Sequence, residues 1–252
     1  MSQLITAWLE RGLAFFQLRA KDRPARAYLA MAADLKARHP GARILANDFA
    51  ALALSRRDIF SGLHLGQSDW RALAEPLRKS LIARARENRL RPVDENFVLG
   101  YSTHNQDELR AALVAWTTVD GLTGTGDAAP VADVAVSVDM PLWSYVAIGP
   151  LRETGSKRAG LSPVLSDAER VECLRAFGLF LANLSKKSGE DSDTFPFLVG
   201  IGGIDAENVV TLLGPGLTRV IPAVIGAALR LDILDALIKN VALLMDQNSL
   251  ET

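Results

Sequence analysis

Short apolar runs alternate with helically spaced apolar positions along the whole chain. Leu4, Ile5, Trp8 and Leu9 share one helical face, and Gly12 ends that segment. Ala14 to Leu18 then reads as a strand. Pro24 to Arg38 reads as a helix, with Pro24 suited to its first turn. Arg43 to Ala46 is a short strand, Phe49 to Leu54 a short helix, and Gly62 to Leu65 the next strand. Trp70 to Asn88 has helical spacing, with Pro76 marking a break or a second start.

The second half keeps the rhythm. Phe97 to Tyr101 is a strand, followed by a helix from Gln106 to Trp116 that Asn105 can cap. Tyr145 to Ile148, Phe197 to Ile201 and Arg219 to Ala223 are strands. Asp167 to Leu184, Ala206 to Leu213 and Ile233 to Met245 are helices. Two stretches break the rhythm: residues 117–143, which include an alternating run from Val131 to Val138, and the polar residues 185–194. Both precede a strand, and both read as insertions on the face of the sheet away from any chemistry.

Strands alternating with helices predict βα units and a parallel sheet. The pattern supplies seven strands where a (β/α)₈ barrel needs eight. The chain opens on a helix, so the strand without a counterpart is the first. Its absence would leave Ala14–Leu18 and Arg219–Ala223 as unpaired edges. We expect either an upstream in-frame strand or dimerisation to cover that gap. Pairing of Val131–Val138 between the two edges would overturn this expectation.

Length and composition sharpen the reading. The chain has 252 residues, a size that single α/β barrels commonly reach. Lys plus Arg total 28 against 29 for Asp plus Glu, so no basic excess points to nucleic acid or an anionic membrane surface. The single cysteine, Cys173, excludes an intrachain disulfide and suits a reducing compartment. No secretory h-region is evident, because Glu10 and Arg11 interrupt the first apolar stretch. Apolar runs such as Val220 to Leu229 fall short of the roughly 18 residues of a membrane span. One cytoplasmic domain over residues 1–252, acting on small molecules and open to homo-oligomerisation, is the expectation.

In a parallel barrel, chemistry sits where strands end. Gln17, Arg19 and Lys21 follow one another at a spacing of two, so all three lie on one side of the chain, and two cations there call for an anion. Asn47 and Asp48 end the second run, and Gln67 and Asp69 follow the third. Two carboxylates after neighbouring strands suit Mg²⁺. Each aspartate also precedes a helix, where it could equally serve as a cap. Ser102, Thr103 and His104 follow the fourth run, and Thr154, Ser156 and Lys157 the fifth. Gly202 and Gly203 follow the sixth, and Gly226 the last. Hydroxyls, glycines and a lysine in such turns suit phosphate, although surface turns use the same residues. His64 and His104 read either as acid–base groups or as hydrogen-bonded packing residues.

The order of these pieces carries more than any one of them. Q-L-R-A-K at Gln17–Lys21, A-N-D at Ala46–Asp48, G-L-H-L-G-Q-S-D at Gly62–Asp69 and G-Y-S-T-H-N at Gly100–Asn105 are followed by A-I-G-P…T-G-S-K at Ala147–Lys157 and V-G-I-G-G-I at Val199–Ile204. This series resembles the thiamine phosphate synthase family over roughly residues 4–230. The resemblance implies a (β/α)₈ TIM barrel that joins hydroxymethylpyrimidine pyrophosphate to a thiazole phosphate and releases pyrophosphate. It implies that Gln17 binds the aminopyrimidine. It assigns Arg19, Lys21, Asn47 and Lys157 to the pyrophosphate, with Ser102 nearby. It further implies Asp48 and Asp69 as Mg²⁺ ligands, and Thr154, Ser156 and the Gly203 backbone as a phosphate cradle. Among these, Lys157, Arg19 and Lys21 would serve catalysis by neutralising the leaving group. Around Gly226 a backbone N–H replaces the hydroxyl the family often has there. Two alternatives share much of this apparatus: a tautomerase acting on the thiazole phosphate, for which His104 would be the reactive group, and a barrel that binds a phosphorylated ligand without turning it over.

Overall fold

Apolar runs bounded by turn residues fold as strands because both of their faces can be covered, and each helically spaced segment carries the chain back to the start of the next strand. A computed structural model describes residues 2–20, 22–88, 97–118, 143–152, 164–188, 196–213, 220–223 and 231–249. The strands are β1 (Phe15–Leu18), β2 (Arg43–Asn47), β3 (Phe60–Leu65), β4 (Val98–Thr103), β5 (Tyr145–Ile148), β6 (Phe197–Ile201) and β7 (Val220–Ala223). Before β1 stands α1 (Ser2–Glu10). The other helices are α2 (Ala25–Arg38), α3 (Ala50–Ser55), α4 (Gln67–Ala72), α5 (Glu75–Asn88), α6 (Gln106–Thr118), α7 (Asp167–Ser188), α8 (Val209–Leu213) and α9 (Leu231–Ser249).

The seven strands form one sheet in sequence order, each parallel to the next. The order and direction are those the pattern predicts. Local departures have plain causes. The segment over 70–88 is two helices, with the break before Pro76, as that proline signals. Asn105 caps α6: its side-chain oxygen accepts the Glu108 backbone N–H at 2.9 Å. Helix α7 continues to Ser188, so the start of the polar stretch 185–194 is helical. Most of 117–143, including Val131–Val138, lies outside the described residues. Its last residue, Trp143, is fully buried, stacked on Tyr101 with ring centroids 4.6 Å apart and edge-on to Trp70.

Register sorts the strand residues into two faces. Ile44, Leu63, Leu65, Leu99, Val146 and Leu198 share the face toward the helices, and all are fully buried. The opposite face carries Gln17, Asn47, Gly62, His64, Gly100, Ser102, Tyr145, Ala147 and Val199. Leu45, Val98 and Phe197 share it, so its polar and small groups lie among apolar neighbours.

Among the described residues β1 and β7 are the two ends of the sheet. Strand β1 looks like an end: its burial alternates between exposed and half-buried, Phe15 is 49% exposed, and Arg43 stacks over the Phe15 ring at 4.3 Å. The helices beside those ends are nevertheless bridged. The Arg11 guanidinium, just after α1, donates to both carboxylate oxygens of Asp235 in α9, at 2.6 and 3.1 Å. This bond brings the helix before β1 to the helix after β7, which only a curled sheet allows. Among the described residues the architecture is thus an α/β half-barrel of seven parallel strands, consistent with a TIM-like fold. No described helix is long and apolar enough to cross a membrane.

Candidate active site

Among the predicted residues, the polar face of the sheet carries Gln17, Asn47 and Ser102, with Asp48 directly after Asn47. Tyr28 of α2, fully buried, sets the first part of the site. Its hydroxyl donates to the Leu18 carbonyl at 2.8 Å and accepts the Asn47 backbone N–H at 3.1 Å, which ties the end of β1 to the end of β2. Burial pushes this phenol up to about 12, with the Asn47 N–H pulling the other way. With the two strand ends held, the Gln17 amide nitrogen reaches the Asn47 side-chain oxygen at 2.9 Å. The other Asn47 amide atom, Nδ2, is buried with no hydrogen-bond partner among the described residues. The Gln67 Nε2 atom is in the same condition. Buried amide groups left unspent are costly unless a ligand uses them, so these two donors mark where an acceptor-rich molecule would bind.

Asp48 follows Asn47 with φ of 69°, a left-handed conformation rare for a residue with a Cβ. Its N–H donates to the His64 carbonyl at 3.1 Å and its carbonyl accepts the Ala50 N–H at 3.0 Å, so the turn is held on both sides. Phe49, not Asp48, stands at the N-cap of α3. The strained turn therefore has a cause other than capping that helix. Asp69 behaves differently. It is the third residue of α4, and its Oδ2 accepts the Gly66 N–H at 3.2 Å across the first turn. The capping alternative thus describes part of what Asp69 does.

These two carboxylates follow adjacent strands, β2 and β3. Among the described residues no group of three or more His, Cys, Asp or Glu is placed to hold a metal. A pair of carboxylates fits Mg²⁺, which keeps several waters and takes further oxygens from a phosphorylated substrate. It does not fit an all-protein cage such as those that hold Zn²⁺.

His64 and Ser102 stand farther across the polar face. The His64 ring is buried, with Nδ1 at 2.8 Å from the Tyr145 hydroxyl and Nε2 at 2.7 Å from Ser102 Oγ. The hydrogen-bonded reading of this histidine is the one observed. His104 turns away to α6, where Glu108 Oε2 accepts its backbone N–H at 2.6 Å and lies 3.3 Å from its Nδ1.

Past β6 the chain turns through Gly202 and Gly203, with φ of 100° and 65°. Both values favour glycine, and a Cβ on Gly202 would press on Pro150. Asp205 Oδ1 accepts the N–H groups of Glu207 and Asn208, and Asn208 Nδ2 donates to the Gly203 carbonyl at 2.8 Å. These bonds hold the turn from its own side chains.

Arg19 is exposed just past β1. Lys21, Thr154, Ser156, Lys157 and Gly226 lie outside the described residues. Cys173 is buried in α7, and its thiol is pushed up to about 11, chiefly by burial, so it is no nucleophile. Two participants escaped the sequence reading. In the sequence Gln67 is one of several polar groups after the third apolar run, and Tyr145 only opens a strand. The aromatic residue opening Y-V-A-I gave no hint of its partner, because the partner is set by register across β3, β4 and β5.

Comparison with known proteins adds two findings. The family model described as Thiamine monophosphate synthase matches residues 1–123. That span contains Gln17, Asn47, Asp48, Asp69 and Ser102. A solved structure, thiamine phosphate pyrophosphorylase from Pyrococcus furiosus, superposes with a TM-score of 0.56 at 17% identity, covering 97% of this chain and 90% of that one. At that identity the likeness concerns the fold. No curated protein matches the chain.

Proposed function

We propose that this chain is a transferase of the thiamine phosphate synthase type, joining hydroxymethylpyrimidine pyrophosphate to hydroxyethylthiazole phosphate with release of pyrophosphate. The observation that carries the reading is the buried, unspent amide of Asn47, bonded to Gln17 and followed directly by the strained Asp48. The matching family model over the same residues supports it.

In this reading Gln17 and Asn47 act as one unit. Their mutual bond orients both amides, and the spare Asn47 amide serves a substrate oxygen. Asp48 and Asp69 would hold Mg²⁺, which when bound neutralises charge on the departing pyrophosphate. Arg19, Lys21 and Lys157 add fixed positive charge where negative charge grows as the carbon–oxygen bond breaks. The electron-rich aminopyrimidine stabilises the cation left behind, and the thiazole nitrogen then attacks it. Such a step needs no protein nucleophile. Thr154, Ser156 and the backbone at Gly203 and Gly226 would bind the thiazole phosphate through hydroxyl and N–H donors.

The test is to supply purified protein with both substrates and Mg²⁺ and to look for thiamine phosphate by mass. The reading expects product only when both substrates are present. Conversion of the thiazole phosphate to its tautomer without the pyrimidine would favour the tautomerase. Binding of either substrate with no product would favour a non-catalytic barrel. The presence of Asp48, Asp69, Arg19 and Lys157 speaks against the tautomerase, which has no need of a Mg²⁺-pyrophosphate apparatus.

A further inference from the structure

Asn47, His64, Gly100 and Tyr145 are register partners across β2, β3, β4 and β5, so they form one row on the polar face. Within that row, glycine at 100 has a specific consequence. A Cβ there would collide with the Tyr145 ring, so the phenol lies over β4 only because that side chain is missing. The ring thereby reaches past β4 and stacks on His64, with centroids 5.6 Å apart and planes 15° apart. Both nitrogens of the buried imidazole are then engaged, one by Tyr145 and the other by Ser102.

We propose that Tyr145 is a positioning residue that acts through His64 to hold the Ser102 hydroxyl as a hydrogen-bond donor aimed at the substrate. The direction follows from counting protons. A neutral imidazole has one N–H and one bare nitrogen. The Tyr145 phenol keeps its proton, since burial drives its ionisation above the ordinary tyrosine value. His64 Nδ1 is the acceptor within reach of that proton. If Nδ1 carried the hydrogen instead, the phenol would accept, and the proton of this half-buried side chain would have to find another acceptor. The favoured arrangement has the phenol donating to Nδ1 and the proton on Nε2. Nε2–H then donates to Ser102 Oγ, and the serine hydroxyl proton is left to donate onward. Ser102 consequently prefers an acceptor, such as a pyrimidine ring nitrogen or a pyrophosphate oxygen, and disfavours an amino group. The substrate half of this inference rests on the synthase reading; the tautomer half does not.

Two measurements test it. The first is ¹⁵N NMR of the ligand-free protein, which has three histidines, with His64→Gln assigning the His64 signal. The expected result is the Nε2–H tautomer of His64 in the wild type and a loss of that preference in Tyr145→Phe, which keeps the ring and removes only the hydroxyl. An Nδ1–H tautomer in the wild type, or an unchanged tautomer in Tyr145→Phe, would overturn the proposal whether or not the protein makes thiamine phosphate. The second is a double-mutant cycle on the Kd for the pyrimidine pyrophosphate. Tyr145→Phe should weaken binding about tenfold, the scale of one hydrogen bond, in the wild-type background and leave it unchanged in Ser102→Ala. Equal effects in both backgrounds would show that Tyr145 does not act through Ser102.

Discussion

The two faces of the sheet are built from the same strands and do opposite work. Toward the helices lie Ile44, Leu63, Leu65, Leu99, Val146 and Leu198, large aliphatic side chains with no exposure. Toward the interior of the curl, amides, an imidazole, a hydroxyl, a phenol and glycines stand among apolar residues such as Leu45, Val98 and Phe197. The first face can be filled by any well-packed set of similar volume. The second works only if each polar group finds a particular partner, because a buried polar atom without one is costly. The faces should therefore respond to substitution in separable ways, one in stability and the other in turnover.

The largest separation is expected at Asp69. Asp69→Asn keeps an oxygen for the Gly66 N–H, so unfolding midpoints should stay near wild type. Loss of the charge should lower kcat by about 10²-fold or more, as for other groups that stabilise developing charge. Steady-state kinetics beside a denaturant titration would read both. Unimpaired turnover in this variant would break the comparison.

Leu63→Ala probes the helix-facing side. Removing a fully buried leucine should cost about 2–5 kcal/mol in denaturant unfolding. Activity per folded molecule should hold within a factor of about three if the packing face only supports the site.

How far could this division be read in advance? The alternation of residues was legible, because a period of two needs no knowledge of neighbours. So were the order of the strands, the break at Pro76 and the Asn105 cap, each a local signal. The partnership of His64 with Tyr145, 81 residues away, was not, since it depends on register across three strands and on the open space above Gly100. Nor was the bond between Arg11 and Asp235, 224 residues apart, which closes the helical layer where the described strands do not pair. The φ of Asp48 was equally hidden: an aspartate before a helix looks like a cap, and only the backbone reveals a turn that a cap would not require.

That turn gives a smaller and sharper prediction. Asp48→Gly should match or exceed wild-type stability by up to about 1 kcal/mol, because glycine adopts the left-handed conformation without penalty. Asp48→Ala should be less stable than Asp48→Gly, and both should lose turnover along with the carboxylate. Chemical unfolding of the pair separates backbone strain from metal binding.

The smallest effect belongs to Arg11→Ala. The Asp235 side chain it pairs with is half exposed, at 55%, so thermal unfolding should shift far less than for Leu63→Ala, and less still at high salt. Unchanged kinetic constants would place this bridge with the scaffold.

The most direct test of the division as a whole is to follow pyrophosphate and thiamine phosphate together, with both substrates present, first with Mg²⁺ and then with excess chelator. Equal amounts of the two products are expected with Mg²⁺, and little of either in chelator. Full turnover in chelator, or pyrophosphate released without thiamine phosphate, would contradict it.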